Sequence, residues 1–139
     1  MSDCVFCGIV AGSVEASIVH EDEVTIAFMD LSQPNGAHVL VIPRQHIETI
    51  YDLEPDVGAG LMQTVVRTAR AVRRSLQPAG LSIWQSNGPA AGQDVPHVHV
   101  HLLTRQPQDG FLRVFPGIPA RPARAILDQL ADKIRAGFV

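Results

Sequence analysis

Residues 97–103 read His-Val-His-Val-His-Leu-Leu, three imidazoles at alternate positions separated by apolar side chains. Successive side chains of a strand point to opposite faces, so His97, His99 and His101 share one face and Val98, Val100 and Leu102 the other. The apolar face suits a core. The imidazole face must line a surface, a cleft or a metal site, because three neutral rings cannot all be satisfied in an apolar interior. A metal ion held by all three would need convergent nitrogens, yet alternate strand positions lie about 6.8 Å apart and the third lies about twice that far away. Nucleophilic catalysis needs one ring at the reacting atom with donors and orienters beside it, and the middle residue, His99, is best placed. An imidazole with an ordinary pKa of about 6.5 is mostly neutral at pH 7, and its attack on phosphorus gives a phosphoramidate that water can split. An accidental exposed ladder is the plain alternative. Its interior position and its alternation with Val and Leu weigh against that.

The elements that must hold these rings follow from periodicity and turn chemistry. The chain has 139 residues, 46% hydrophobic and 18% charged, which is the arithmetic of one domain spanning 1–139. A domain of this size buries roughly 70% of the surface its unfolded chain exposes and needs no disulfide staples. Val24, Ile26 and Phe28 alternate with Thr25 and Ala27, and Val39 and Val41 with His38, Leu40 and Ile42 before Pro43, predicting two strands joined by a turn at 32–36. A helix from Pro55 puts Leu61, Val65, Ala69, Val72 and Leu76 on one stripe and ends before Pro78 and Gly80. Leu81 and Ile83 begin a further strand that runs to a loop at Asn87-Gly88-Pro89, and the triad strand follows. Residues 105–121 read as a surface segment, and Ile126, Leu127, Leu130, Ala131 and Ile134 as a terminal helix stopped by Gly137. The fold class is therefore α+β.

Charge and patterning exclude several functions. A net charge of −3, with ten Arg, one Lys and no basic tract beyond Arg73-Arg74, argues against nucleic-acid partners. No apolar run approaches the roughly 18 residues of a spanning helix, and the first residues lack a basic-then-apolar pattern, so no membrane association and a cytoplasmic location are expected. Cys4-Val5-Phe6-Cys7 is a lone C-x-x-C, compatible with two reduced thiols, a redox pair or half of a zinc site. It stands ahead of any clear strand, unlike a thioredoxin-like motif.

The heptapeptide 97–103 resembles the signature of the histidine triad (HIT) family of nucleotide hydrolases and transferases, His-φ-His-φ-His-φ-φ with φ apolar. Phe28-Met29-Asp30-Leu31-Ser32, then His38-Val39-Leu40-Val41-Ile42-Pro43 and His46, are similar to the family's N-terminal half. Asn87-Gly88 with Ala91-Gly92-Gln93 is similar to its phosphate loop, and Asp109-Gly110-Phe111 to a short element of bacterial members. The likeness covers residues 4–104 and leaves 105–139 as an extension and helix. It implies a HIT-like five-stranded antiparallel sheet with one long helix and a C-terminal helix. It also implies an enzyme acting at the α-phosphate of a nucleoside monophosphate ester, anhydride or phosphoramidate, purine nucleotides preferred, without a catalytic metal.

Carried over residue by residue, the resemblance makes His99 the nucleophile of a nucleotidyl-histidine intermediate and His101 a hydrogen-bond donor to the phosphate. The His97 carbonyl would orient the His99 ring, and His38 matches an additional histidine near the triad. Gln93 would contact the phosphate or leaving-group side with Asn87 and Gly92 shaping the same wall, and Asp94 and Val95 continue that set. Asp30 would accept hydrogen bonds from the ribose, and Phe6, Ile9, Phe28, Leu31 and Leu40 would wall the base pocket. On their own, Asp30 is equally a turn residue and Phe28 or Leu40 plain core. Bacterial relatives with Cys-x-x-Cys imply a structural zinc on Cys4, Cys7, His46 and His97, and the family implies a homodimer.

Three features depart from the pattern. Asp94 stands where many members carry Ser or Thr, and a carboxylate there repels an anionic substrate unless it points away or is paired. Pro96 removes a backbone donor just before the triad and predicts an irregular start to the strand. The Trp-Pro-Pro-Gly ending that resembles the purine nucleoside phosphoramidase branch is missing, so that branch's substrate preference is not transferred. The rival readings are a catalytically idle nucleotide-binding module acting through a protein partner, and a catalytic metal on the triad.

Overall fold

The alternation at 24–28 and 38–43 produces β2 (Thr25–Met29) and β3 (His38–Pro43), antiparallel neighbours in register from Thr25 opposite Pro43 to Met29 opposite Val39. The computed structural model describes residues 3–34, 36–111 and 114–139; Asn35 of the expected turn, and Leu112 and Arg113 of the expected surface segment, lie outside them. β1 (Ile18–Glu21) pairs with β2, β5 (Val100–Arg105) with β3, and β4 (Gly80–Trp84) with β5. The result is a five-stranded antiparallel sheet in the order β1-β2-β3-β5-β4. The chain divides into two units, Met1–Asp109 with the whole sheet and Gly110–Val139 with the last helix.

The two faces of the sheet carry different cores. Ala27, Val39, Val41, Val100 and Leu102 pack with Leu61, Val65 and Val72 of α2 (Pro55–Leu76). Ile26, Phe28, Leu40 and Ile42 pack on the opposite face with Cys4 and Phe6 of the N-terminal segment, which forms the short helix α1 (Val5–Ala11). Pro55 starts α2 where its missing N–H costs nothing, and Gln77, with a left-handed φ of 46° ahead of Pro78, ends it. Each buried leucine or valine of α2 contributes about 1.5–3 kcal/mol by burial. Thr64 and Thr68 complete the buried stripe, and Leu76, expected on it, is exposed. Thr64 is tolerated there because its hydroxyl lies 2.7 Å from that of Thr25.

The hairpin before β2 is tied to α2 through Asp22. Its Oδ1 accepts the amides of Val24 and Thr25 at 2.9 and 2.8 Å, and its Oδ2 the Thr64 hydroxyl at 3.3 Å. Burial pushes this carboxyl up, but those amides and the Thr25 hydroxyl outweigh it and bring it to about 2.

The expected triad strand is corrected at its start. β5 begins at Val100, so His97 and His99 lie ahead of it. Pro96 cannot donate to a neighbouring strand, and the His97 amide donates back to the Val95 carbonyl at 2.8 Å, turning the backbone away before Val98 donates to the Ile47 carbonyl at 2.7 Å. In the second unit α3 (Arg124–Ala136) stops at Gly137, and its apolar stripe of Ile126, Leu127, Leu130 and Ile134 is exposed.

Candidate active site

The sheet face that carries α1 also carries a cavity of about 720 Å³, within the range of roughly 300–1,000 Å³ usual for small-molecule sites. Phe6 and Ile9 of α1, Phe28 and Leu40 of the sheet, and Val95 supply apolar wall, and Asp30, Asp94, His99 and His101 bring polar groups to it. Leu31 also lines it, fully exposed at its rim. The Phe6 ring meets Phe28 edge-on with centroids 5.4 Å apart and His99 at 5.2 Å, so α1 holds one wall directly against the triad.

His99 is buried, and its Nδ1 lies 2.7 Å from the His97 carbonyl oxygen. A carbonyl accepts only, so Nδ1 carries the hydrogen and Nε2 holds the lone pair. Asp94 Oδ1 stands 3.5 Å from His99 Nε2, with its side chain 81% exposed.

His101 sits on β5 between two elements. Its ring stacks on Trp84 of β4 with centroids 4.3 Å apart and planes 2° from parallel, the consequence of Trp84 lying opposite His101 in the β4–β5 register. Its Nδ1 lies 2.9 Å from Nε2 of His38 on β3, whose Nδ1 faces the Ser32 carbonyl at 3.2 Å and Asp30 Oδ2 at 3.7 Å. Burial, then the neighbouring His99 and His38 rings, lower the His101 pKa to about 4 against the opposing pull of Asp30 and Asp94. His101 is therefore neutral at pH 7. Trp84 was not recognised as part of the site from sequence; its only signal was a lone tryptophan ending an apolar alternation.

The loop between β4 and β5 is laced from within. Gln93 accepts from the Gly88 amide at 2.7 Å and donates to the carbonyls of Glu48 at 2.7 Å and Val95 at 3.0 Å. Asn87 accepts from the Ile50 amide at 2.8 Å and exchanges hydrogen bonds with Gln85, and Gly92 adopts φ 86° to close a turn. Asn87, Gly92 and Gln93 are not brought to the cavity wall, whereas Asp94 and Val95, next along the same loop, are.

A second cluster lies behind His99. Cys4, Cys7, His46 and His97 offer ligand atoms that all lie within 4.8 Å of one another. Cys7 Sγ is 3.2 Å from His46 Nδ1, and Cys4 Sγ is 3.5 Å from His97 Nδ1. Tetrahedral Zn–S and Zn–N bonds of about 2.3 and 2.05 Å set ligand edges of about 3.3–3.8 Å, so two thiols and two imidazoles at these separations fit one ion. His97 Nε2 lies 2.8 Å from the Pro43 carbonyl, which places its hydrogen there and leaves Nδ1 bare toward the thiols. The four residues can hold a metal ion. The Asp30, His38 and His101 atoms are also close together, but their nitrogens already face one another or backbone acceptors.

These features define an α+β protein with a nucleotide-sized, histidine-lined pocket on one face of an antiparallel sheet and a Cys₂His₂ cluster behind it. The HIT domain family model matches residues 11–108, and the chain belongs to that family. It is similar to Protein hit of Bacillus subtilis, 41% identical over 110 residues that cover 78% of this chain and 76% of that protein. It is also similar to adenosine 5′-monophosphoramidase hnt1 of Schizosaccharomyces pombe, 29% identical over 135 residues covering 95% and 98%. A crystal structure of a HIT family member from Bacillus subtilis superposes with a TM-score of 0.93 at 34% identity, covering 99% of each chain. No helix among the described residues is long and apolar enough to cross a membrane.

Proposed function

We propose that this chain is a nucleotide hydrolase or transferase acting at the α-phosphate of a nucleoside monophosphate ester, anhydride or phosphoramidate through a nucleotidyl-histidine intermediate on His99. The observation that carries the reading is the His99 ring itself, with Nδ1 held by the His97 carbonyl and the bare Nε2 beside a nucleotide-sized cavity. In-line attack joins Nε2 to phosphorus as the bond to the leaving group breaks; a water molecule then splits the P–N bond and returns free His99. The phosphoramidase name of one relative, aligned over nearly its whole length, supports the same reaction class.

His101 takes the phosphate contact through its neighbour. One hydrogen lies between His38 Nε2 and His101 Nδ1. When His38 supplies it, His101 keeps its own hydrogen on Nε2, free to donate to a phosphate oxygen. His38 Nδ1 in turn faces the Ser32 carbonyl at 3.2 Å and Asp30 Oδ2 at 3.7 Å, which hold its ring in place. Asp30 is also the proposed ribose acceptor, with Phe6, Ile9, Phe28, Leu31, Leu40 and Val95 enclosing a purine. Zinc on Cys4, Cys7, His46 and His97 supplies a structural cross-link, and no step of the reaction is assigned to it.

Stoichiometric trapping tests the reading. Rapid quenching during turnover of AMP phosphoramidate should leave up to one AMP per chain on His99, and His99→Ala should abolish both adduct and product. Nucleotide binding with neither adduct nor product across phosphoramidate, anhydride and ester substrates would instead establish an idle binding module.

A further inference from the structure

The charges around the cavity point to a second kind of selectivity. Its lining carries three carboxylates, Glu15, Asp30 and Asp94, and among the described residues neither Lys nor Arg. Among the described residues that line it the two imidazoles are the only basic groups, and His101 is neutral at pH 7. A pocket so built accepts the single negative charge of an α-phosphate held by imidazole donors, and disfavours each further one.

Asp94 sits where a further charge would fall. Attack requires phosphorus within about 3–3.5 Å of His99 Nε2, and Asp94 Oδ1 is already 3.5 Å from that nitrogen. The carboxylate therefore borders the reacting phosphate, on a side chain that opens to solvent. A carboxylate at pH 7 accepts hydrogen bonds and donates none, so it pairs with an N–H or a cation and repels an anionic oxygen.

Resting on the nucleotidyl-transfer reading above, we propose that Asp94 is a specificity-determining residue that selects the leaving group by charge. Nucleotidyl amines, above all those bearing a positive charge beyond the P–N bond, are taken; anhydrides whose leaving group is a phosphate or sulfate are rejected. In the favoured reaction the P–N bond breaks as the bond from His99 Nε2 to phosphorus forms, and the departing nitrogen takes one proton from water at the open mouth. In the disfavoured one the departing oxygen keeps the bonding pair and adds negative charge beside Asp94.

Three probes separate charge from chemistry: AMP joined through P–N to ethylenediamine, AMP joined through P–N to ethylamine, and diadenosine triphosphate. The wild-type kcat/KM should fall in that order. Asp94→Asn and Asp94→Ser should lower the ratio of the first probe to the second by about tenfold and raise the ratio of the third to the second by about tenfold, whatever they do to the common rate, the size of one screened charge at this range. High salt should narrow the wild-type spread. Unchanged ratios in both variants, or an equal loss on all three probes, overturn the assignment. If the wild type gives neither product nor His99 adduct with any probe, the nucleotidyl-transfer reading itself falls, and this inference with it.

Discussion

Protonating His101 would put a cation in a half-buried slot between Trp84, His38 and His99, which is why its pKa is lowered to about 4 from an unfolded value of about 6.5. Between those two values the unfolded chain binds the proton more readily than the folded one, so stability falls as pH drops from about 6.5 to about 4 and levels off below. Melting temperature should therefore decline from pH 7 to pH 5, and His101→Asn should decline less steeply over the same interval. Identical slopes in the two proteins would show that the acid sensitivity resides elsewhere. The ladder's three rings differ in state because they differ in neighbours: His97 meets thiols and a carbonyl, His99 a carbonyl and the Asp94 carboxylate, His101 another imidazole and an indole. Residue types and spacing made the ladder conspicuous. The family resemblance supplied the His97 carbonyl as the group that orients His99, whereas the His38 ring and the Pro43 carbonyl that face His101 and His97 could not be read from the ladder, because both come from β3.

At the scale of elements, the Cys₂His₂ cluster joins three segments that the sheet alone does not tie together: the start of α1, the turn after β3 and the irregular backbone before β5. α1 has only seven residues and no side-chain cap, too short to be stable by itself, and it carries Phe6 onto Phe28 and His99. Zinc bound there should hold that wall in place. Protein made in zinc-supplemented medium should contain about one zinc per chain; its chelation should lower the melting temperature and weaken nucleotide binding, and Cys4→Ser with Cys7→Ser should reproduce both effects. Metal-free protein of unchanged melting temperature would exclude a structural ion. α2 was legible because one face is buried and the apolar period shows it, and β2 and β3 because both faces are buried and each reads as a short, nearly continuous apolar run bounded by turn residues. α1 and β1 were not, since β1 is largely exposed and α1 owes its place to contacts made by Phe6 and the cysteines.

At the scale of the whole molecule, the strand order leaves β4 as an edge, and β4 also presents Trp84 to the triad. An uncovered edge strand is a template for pairing with another chain. On β4, Ile83 is about half exposed and no proline interrupts the run. We propose that two copies pair there, which would lock the β4–β5 register that sets Trp84 against His101. Light scattering should then give twice the 15.0 kDa chain mass. Ile83→Lys, which puts a charge on the edge without touching the cavity, should shift the population toward monomer as the protein is diluted, and should lower activity in step with dimer loss. A wild-type chain that scatters as a monomer at high concentration would refute the pairing. Full activity in a monomeric Ile83→Lys protein would show instead that β5 holds β4 unaided.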